Sequence, residues 1–282
     1  KARRGKGNAA FIDTPLNTRA SMESQEKKMR WAWVLAATAL ALPVAGGAQL
    51  ASEKSISFVK REGRWSPVPL ICDATNRDRV LVLGAPGPDR QMDLISFAKP
   101  DLSARRIAVR LGAGDPGAGQ IYYPLFNLVG RQVGNVHAIN PGMVEPGATT
   151  PTVTSITLGQ ETTNCRFAAQ TRVLGITGRR SIQIVRTERN GYRYTSYNFD
   201  SDLPEVSQPW GGQDTRASLT IDGGRLVDQS GGRRIYEFAN RGFVYRVMVS
   251  VEPGHAGGGV EVTQNGRNVL REAFGAYTAA LR

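Results

Sequence analysis

Along most of the chain, apolar and polar residues alternate with a period of two in short runs, separated by turns rich in glycine, proline and asparagine. That is the signature of strands with one buried face. Phe243, Tyr245, Val247, Val249 and Val251 share one parity while Arg246 and Ser250 take the other, so 243–251 reads as a half-buried antiparallel strand. The same rule predicts strands at 55–60, 79–83, 92–98, 106–111, 133–139, 152–158, 166–174, 181–187, 192–199, 217–221, 234–239 and 260–264. Asn240-Arg241-Gly242, Asn190-Gly191 and, most strongly, Asn265-Gly266 predict hairpin turns, because these residues tolerate positive φ. Within 192–199 the aromatic residues change parity, from Tyr192 and Tyr194 to Tyr197 and Phe199. A β-bulge or a strand covered on both faces would produce this change.

Only the C-terminal tail departs from a period of two. Val269, Leu270, Ala273, Phe274, Tyr277 and Leu281 recur at three- and four-residue spacing, which predicts a strand to about 270 and then a short amphipathic helix. The expected fold is therefore mostly β: antiparallel sandwich- or barrel-like modules with a short C-terminal helix. Asn140–Thr150, with two prolines and two glycines and no periodicity, reads as a linker between an N-terminal β module, 49–139, and a C-terminal one, 151–282. Cys72 precedes Arg79-Val80-Leu81 by seven residues, and Cys165 precedes Arg172-Val173-Leu174 by seven. This spacing raises the expectation of two related halves.

The first 28 residues are polar and basic without hydrophobic periodicity, and read as an upstream extension. Residues 29–48 read as a cleavable signal peptide. Lys27, Lys28 and Arg30 supply the positive start, Trp31–Leu42 the apolar run, and Pro43 its end. Gly46 and Ala48 supply the small residues of a cleavage site before Gln49. The apolar run falls short of the ~18 residues of a spanning helix. An exported chain without a stable membrane anchor, periplasmic or secreted, is the expectation.

Removing those segments changes the charge. Of the 36 basic and 24 acidic residues, eight and three precede residue 49, so the net charge of the remainder is +7 rather than +12. The positive residues are almost all arginine and lie scattered along the strands rather than in a run, which argues against nucleic acid and leaves an anionic partner in the cell envelope open. The two cysteines, Cys72 and Cys165, predict a disulfide in an oxidising compartment.

Catalytic signatures are sparse. His137 and His255 have no cysteine or histidine within four residues, so neither a metal site nor a cofactor is expected. His137 alternates with Val136 and Ala138 as a cross-strand residue would, and His255 sits in a glycine-rich loop. No nucleophile elbow or phosphate loop occurs; Gly112–Gly119 lacks the Gly-Lys-Ser/Thr ending. Asp200, Asp202 and Glu205 are the best acidic cluster, at a loop end. Tyr192, Tyr194 and Tyr197 with interleaved Arg193, and Trp210 in a turn-rich loop, are the candidate ligand-binding residues, since aromatic faces suit a flat or glycan-like ligand. The expected function is a non-enzymatic binding or structural component of the envelope. The alternative is an envelope hydrolase using dispersed acids or His137.

Overall fold

The computed structural model describes residues 55–99, 101–117, 119–139, 153–166, 170–189, 191–200 and 217–281, with the backbone of 205–207 and 213–215. The segments 1–28, 29–48 and 140–150, and Trp210, lie outside the described residues. The chain is nearly all antiparallel β, in two curled sheets.

A hairpin of β1 (Ser55–Arg61) and β2 (Arg64–Val68) comes first. The first sheet then runs in chain order through β3 (Leu70–Asp73), β4 (Arg79–Leu83), β5 (Gln91–Ala98), β6 (Ala104–Leu111), β7 (Asp115–Gly117), β8 (Gln120–Phe126), β9 (Gln132–Ile139), β10 (Val153–Leu158) and β11 (Glu161–Asn164). Each strand pairs with the next, except that β7 is a side branch on β8 and β6 pairs with β8 directly. The ends then meet. Cys165, just past β11, bridges Ala74, just past β3, through Thr75 N–H to Asn164 O at 2.9 Å and Arg166 N–H to Asp73 O at 2.8 Å. The Cys72–Cys165 disulfide sits on this seam, with a Cα–Cα distance of 4.8 Å. Eight strands thus curl into a barrel whose interior holds Leu70, Leu83, Leu94, Leu125, Val136 and Ile156, all at most 2 % exposed.

The second sheet contains β12 (Thr171–Ile176), β13 (Arg180–Arg186), β14 (Tyr192–Asn198), β17 (Leu219–Asp228), β18 (Arg233–Asn240), β19 (Phe243–Ser250), β20 (Gly258–Gln264), β21 (Arg267–Ala273) and β22 (Ala276–Ala280). A separate two-stranded hairpin, β15 (Glu205–Ser207) and β16 (Gln213–Thr215), interrupts the sequence after β14. β21 pairs with β20; two residues on, β22 pairs with β12, so one bent stretch closes this sheet as well. β1 adds to the other edge of β22. Tyr194, Phe238, Phe274 and Tyr277 pack inside with Val247 and Ile184. A third apolar cluster, including Val59, Ile71, Val80, Val82, Ile95 and Ile176, joins the outer faces of β3–β5 to β1, β22 and β12. β3 is buried at every position, and β4 at all but its first, because both of their faces are covered.

Three expectations need correction. The C-terminal helix is absent: its residues form β21 and β22, and the only helical element among the described residues is a single 3-10 turn at Pro253–His255. Ala276–Ala280 is buried throughout, since β22 lies between β1 and β12 with both faces covered, and a strand without a wet face loses its period of two. The sheets also do not divide the chain at 140–150: β9 and β10, on either side of it, pair with each other, and β1 pairs with β22. Nor do the two Cys and Arg-Val-Leu groups occupy equivalent places. Arg79-Val80-Leu81 lies in the second strand of its barrel and Arg172-Val173-Leu174 in the first strand of the other.

One glycine shows how close the strands of the first barrel approach. A Cβ on Gly134 would lie 1.9 Å from the backbone oxygen of Thr157, on the neighbouring β10. Backbone cannot yield as a side chain tip can. Gly134→Ala is expected to cost about 3 kcal/mol, at the upper end of overpacking. A urea melt checks this, and a loss below ~0.5 kcal/mol would mean that β9 and β10 can part.

Candidate binding site

The open wall of the first barrel forms a concave feature. β8 meets β6 only at Arg110↔Phe126 and Leu111↔Leu125. From Ala104 to Ala108, β6 is paired with β5 on one edge and with no described strand on the other, and every one of those residues is exposed. Beneath this gap is a cavity of about 220 Å³. Leu81, Leu94, Ile107, Ile156 and Leu158 make its apolar wall, with Ser96 and Thr163 contributing hydroxyls. Ile107 is 44 % exposed, whereas Leu81, Leu94 and Ile156 are at most 2 % exposed, so the cavity has a dry floor and a wet lip.

Alternation along each strand builds this lining. Arg79 and Leu81 on β4, Leu94 and Ser96 on β5, Arg105 and Ile107 on β6, Ile156 and Leu158 on β10, and Glu161 and Thr163 on β11 all have the parity that faces the barrel interior. The charged members therefore gather at the mouth. Glu161 lies 3.6 Å from Arg79 and 3.9 Å from Arg77. Arg106, of opposite parity, pairs with Asp93 at 3.2 Å. Arg105 has no ion-pair partner among the described residues. The rim is thus net positive over an apolar interior.

The residues singled out from the sequence lie elsewhere. Tyr194 is 2 % exposed inside the second barrel, where burial pushes its phenol up to about 12. Tyr192, half-buried, packs edge-on against buried Tyr236 with ring centroids 4.9 Å apart. Tyr197 and Phe199 point the opposite way, as parity requires. The guanidinium carbon of Arg166 lies 3.5 Å from the Tyr197 ring, and the Lys99 ammonium 5.1 Å from the Phe199 ring. Both cations hold Asp73, which is fully buried: Lys99 Nζ donates to Oδ1 at 2.6 Å and Arg166 Nε to Oδ2 at 2.7 Å. The rings of Tyr192, Tyr194, Tyr197 and Phe199 thus lie on two faces, both largely occupied by intramolecular contacts.

His137 lies on the outer face of the first barrel, stacked on Tyr122 at 4.5 Å. Its Nε2 is 2.8 Å from Gln120 Oε1 and its Nδ1 2.8 Å from Thr154 Oγ1, and burial lowers its pKa. His255 is exposed beside Glu252, at 3.0 Å. Asp200 is exposed; the side chains of Asp202 and Glu205 lie outside the described residues. Among the described residues no group of three His, Cys, Asp or Glu is placed to hold a metal ion. Nothing in the sequence around Arg79, Arg105, Ile107 and Glu161 marked them: Arg79 and Ile107 read as ordinary strand residues, Arg105 and Glu161 fall outside the predicted strands, and only the missing neighbour of β6 makes them a site. Comparison with protein-family models, with curated proteins and with solved structures finds no match for this chain.

Proposed function

We propose that this is an exported, non-enzymatic binding protein of the cell envelope, and that its site is the open mouth of the first barrel. The observation that carries this reading is the cavity of about 220 Å³ with an apolar floor and arginines at its rim. Barrel mouths are common ligand sites, and a cavity below the ~300 Å³ of drug-sized pockets suits a small apolar group. The positive rim favours an anionic partner. The disulfide is in keeping with export, and no helix among the described residues is long and apolar enough to cross a membrane. The hydrolase alternative gains little: His137 is on the outer face with both ring nitrogens engaged, and Glu161, the acid at the mouth, is paired with arginines.

Octanoate is a suitable probe, since it joins a short apolar chain to one carboxylate. Methyl NMR should show saturable shifts at Ile107 and Ile156, with affinity roughly fivefold weaker in Arg105→Glu, the ~1 kcal/mol of an exposed ion pair. Shifts confined to methyls of the second barrel would place any binding away from this mouth and sink the proposal.

A further inference from the structure

The same opening has a second property, which lies in its backbone. We infer that the unpaired edge of β6 accepts an extended acidic segment of another polypeptide as an added strand, one apolar side chain of which enters the cavity. This rests on the reading of the barrel mouth as the binding site and names the class of partner that fits it.

Three observations converge. First, β6 has a strand on one edge only over Ala104–Ala108, so alternate residues there present N–H and C=O groups to solvent. A free edge beside a side-chain pocket is what recognition by strand addition requires: main-chain hydrogen bonds supply affinity, and the pocket reads alternate side chains. Second, the cavity lies directly under that edge and is about the size for one apolar side chain rather than a whole ligand. Third, the edge is basic. Arg105 and Arg106 are adjacent, with Arg79 across the mouth, and only Arg106 and Arg79 have acidic partners. Charges on an edge strand ordinarily discourage pairing with like edges. Here their single sign repels a basic edge and favours an acidic one, so the same residues supply both rejection and selection. A small amphiphile would use the pocket and rim but would leave the backbone edge unused.

The test uses a capped peptide of alternating glutamate and leucine, and the same peptide with every second amide N-methylated. Hydrogen exchange should slow at Ala104–Val109 when the first peptide binds and remain unchanged with the second. Binding should weaken about tenfold in Arg105→Glu and at high salt, as rim electrostatics dictate. Both Arg105 and Ile107 are exposed, so Arg105→Glu and Ile107→Ala are expected to fold, which a thermal melt checks. Equal binding of the N-methylated peptide would overturn the inference. So would a dimer of this chain that protects the same amides without peptide, because the edge would then belong to a second copy. Octanoate shifts at Ile107 without peptide binding would defeat strand addition while leaving the pocket reading intact; loss of both would defeat both.

Discussion

Replacing Asp73 with asparagine is expected to destabilise the protein by about 3–5 kcal/mol, the range for removing one partner of a buried ion pair. Asp73 is fully buried at the end of β3, with the Lys99 and Arg166 side chains only 9 % and 3 % exposed. Together the three carry one net positive charge, tempered by the Tyr197 and Phe199 rings facing the two cations. Asparagine would remove the carboxylate that both buried cations contact. Lys99→Met, by contrast, leaves Asp73 balanced against Arg166 and should cost clearly less. Urea melts of the two variants test this ordering, and equal losses would show that the group is no electrostatic unit. The pH dependence follows from the same geometry. Burial, the largest single influence, pushes the Asp73 carboxyl up, but the charges and hydrogen bonds of Lys99 and Arg166 outweigh it and hold the group below its ordinary value. A carboxyl depressed on folding contributes its stability above the unfolded pKa of about 3.9, and loses it as pH falls through the folded value. Stability from this group should therefore be flat near neutrality and decline in acid below about pH 4, a decline missing from Asp73→Asn.

The features legible in the sequence are those set by neighbours along the chain. Phe243–Ser250 alternates as read, and its hairpin turns at Arg241 and Gly242, both with positive φ. Asn265 and Gly266 likewise turn with φ of 50° and 75°. The parity switch in 192–199 correctly separates Tyr194, inside the second barrel, from Tyr197 and Phe199 outside it, without a bulge between the pairs. What parity could not tell is what would cover each side. Tyr197 meets Arg166, and Arg166 meets Asp73, 93 residues away in sequence. Asp73 itself reads locally as an acid at the end of a strand.

Long-range closure was hidden for the same reason. β1 pairs with β22 across most of the chain, and no local signal in Ser55–Arg61 names that partner. Strands buried on both faces, such as β3 and β22, lose the alternation by which strands are recognised; β3 went unpredicted and β22 read as helix. The candidate site was the least legible feature. It is created by a strand that β6 lacks, and a missing neighbour leaves no mark on the residues that lack it.

Breaking the Cys72–Cys165 disulfide is expected to cost about 2–4 kcal/mol, and the loss should be concentrated in the first barrel. The bond spans 93 residues, from the first strand of that barrel to the end of its last. For such a loop the chain-entropy model gives an upper figure of about 4.6 kcal/mol. The native hydrogen bonds at Ala74↔Cys165 hold the same seam without needing the covalent bond, so the barrel is expected to loosen rather than unfold. The disulfide and the backbone bridge therefore act on different states: one restricts the unfolded chain, the other stabilises the folded seam. Replacing both cysteines with alanine avoids leaving reactive thiols, though it adds a small packing loss because Cys72 is fully buried and Cys165 only 8 % exposed. Urea melts should give a lower midpoint for the double variant, and hydrogen exchange should quicken at the seam amides of Thr75 and Arg166 more than in β18 or β19 of the second barrel. Uniformly faster exchange throughout both sheets would mean that the two barrels unfold as one cooperative unit. No change at the seam would mean that the Ala74↔Cys165 bridge closes the barrel unaided.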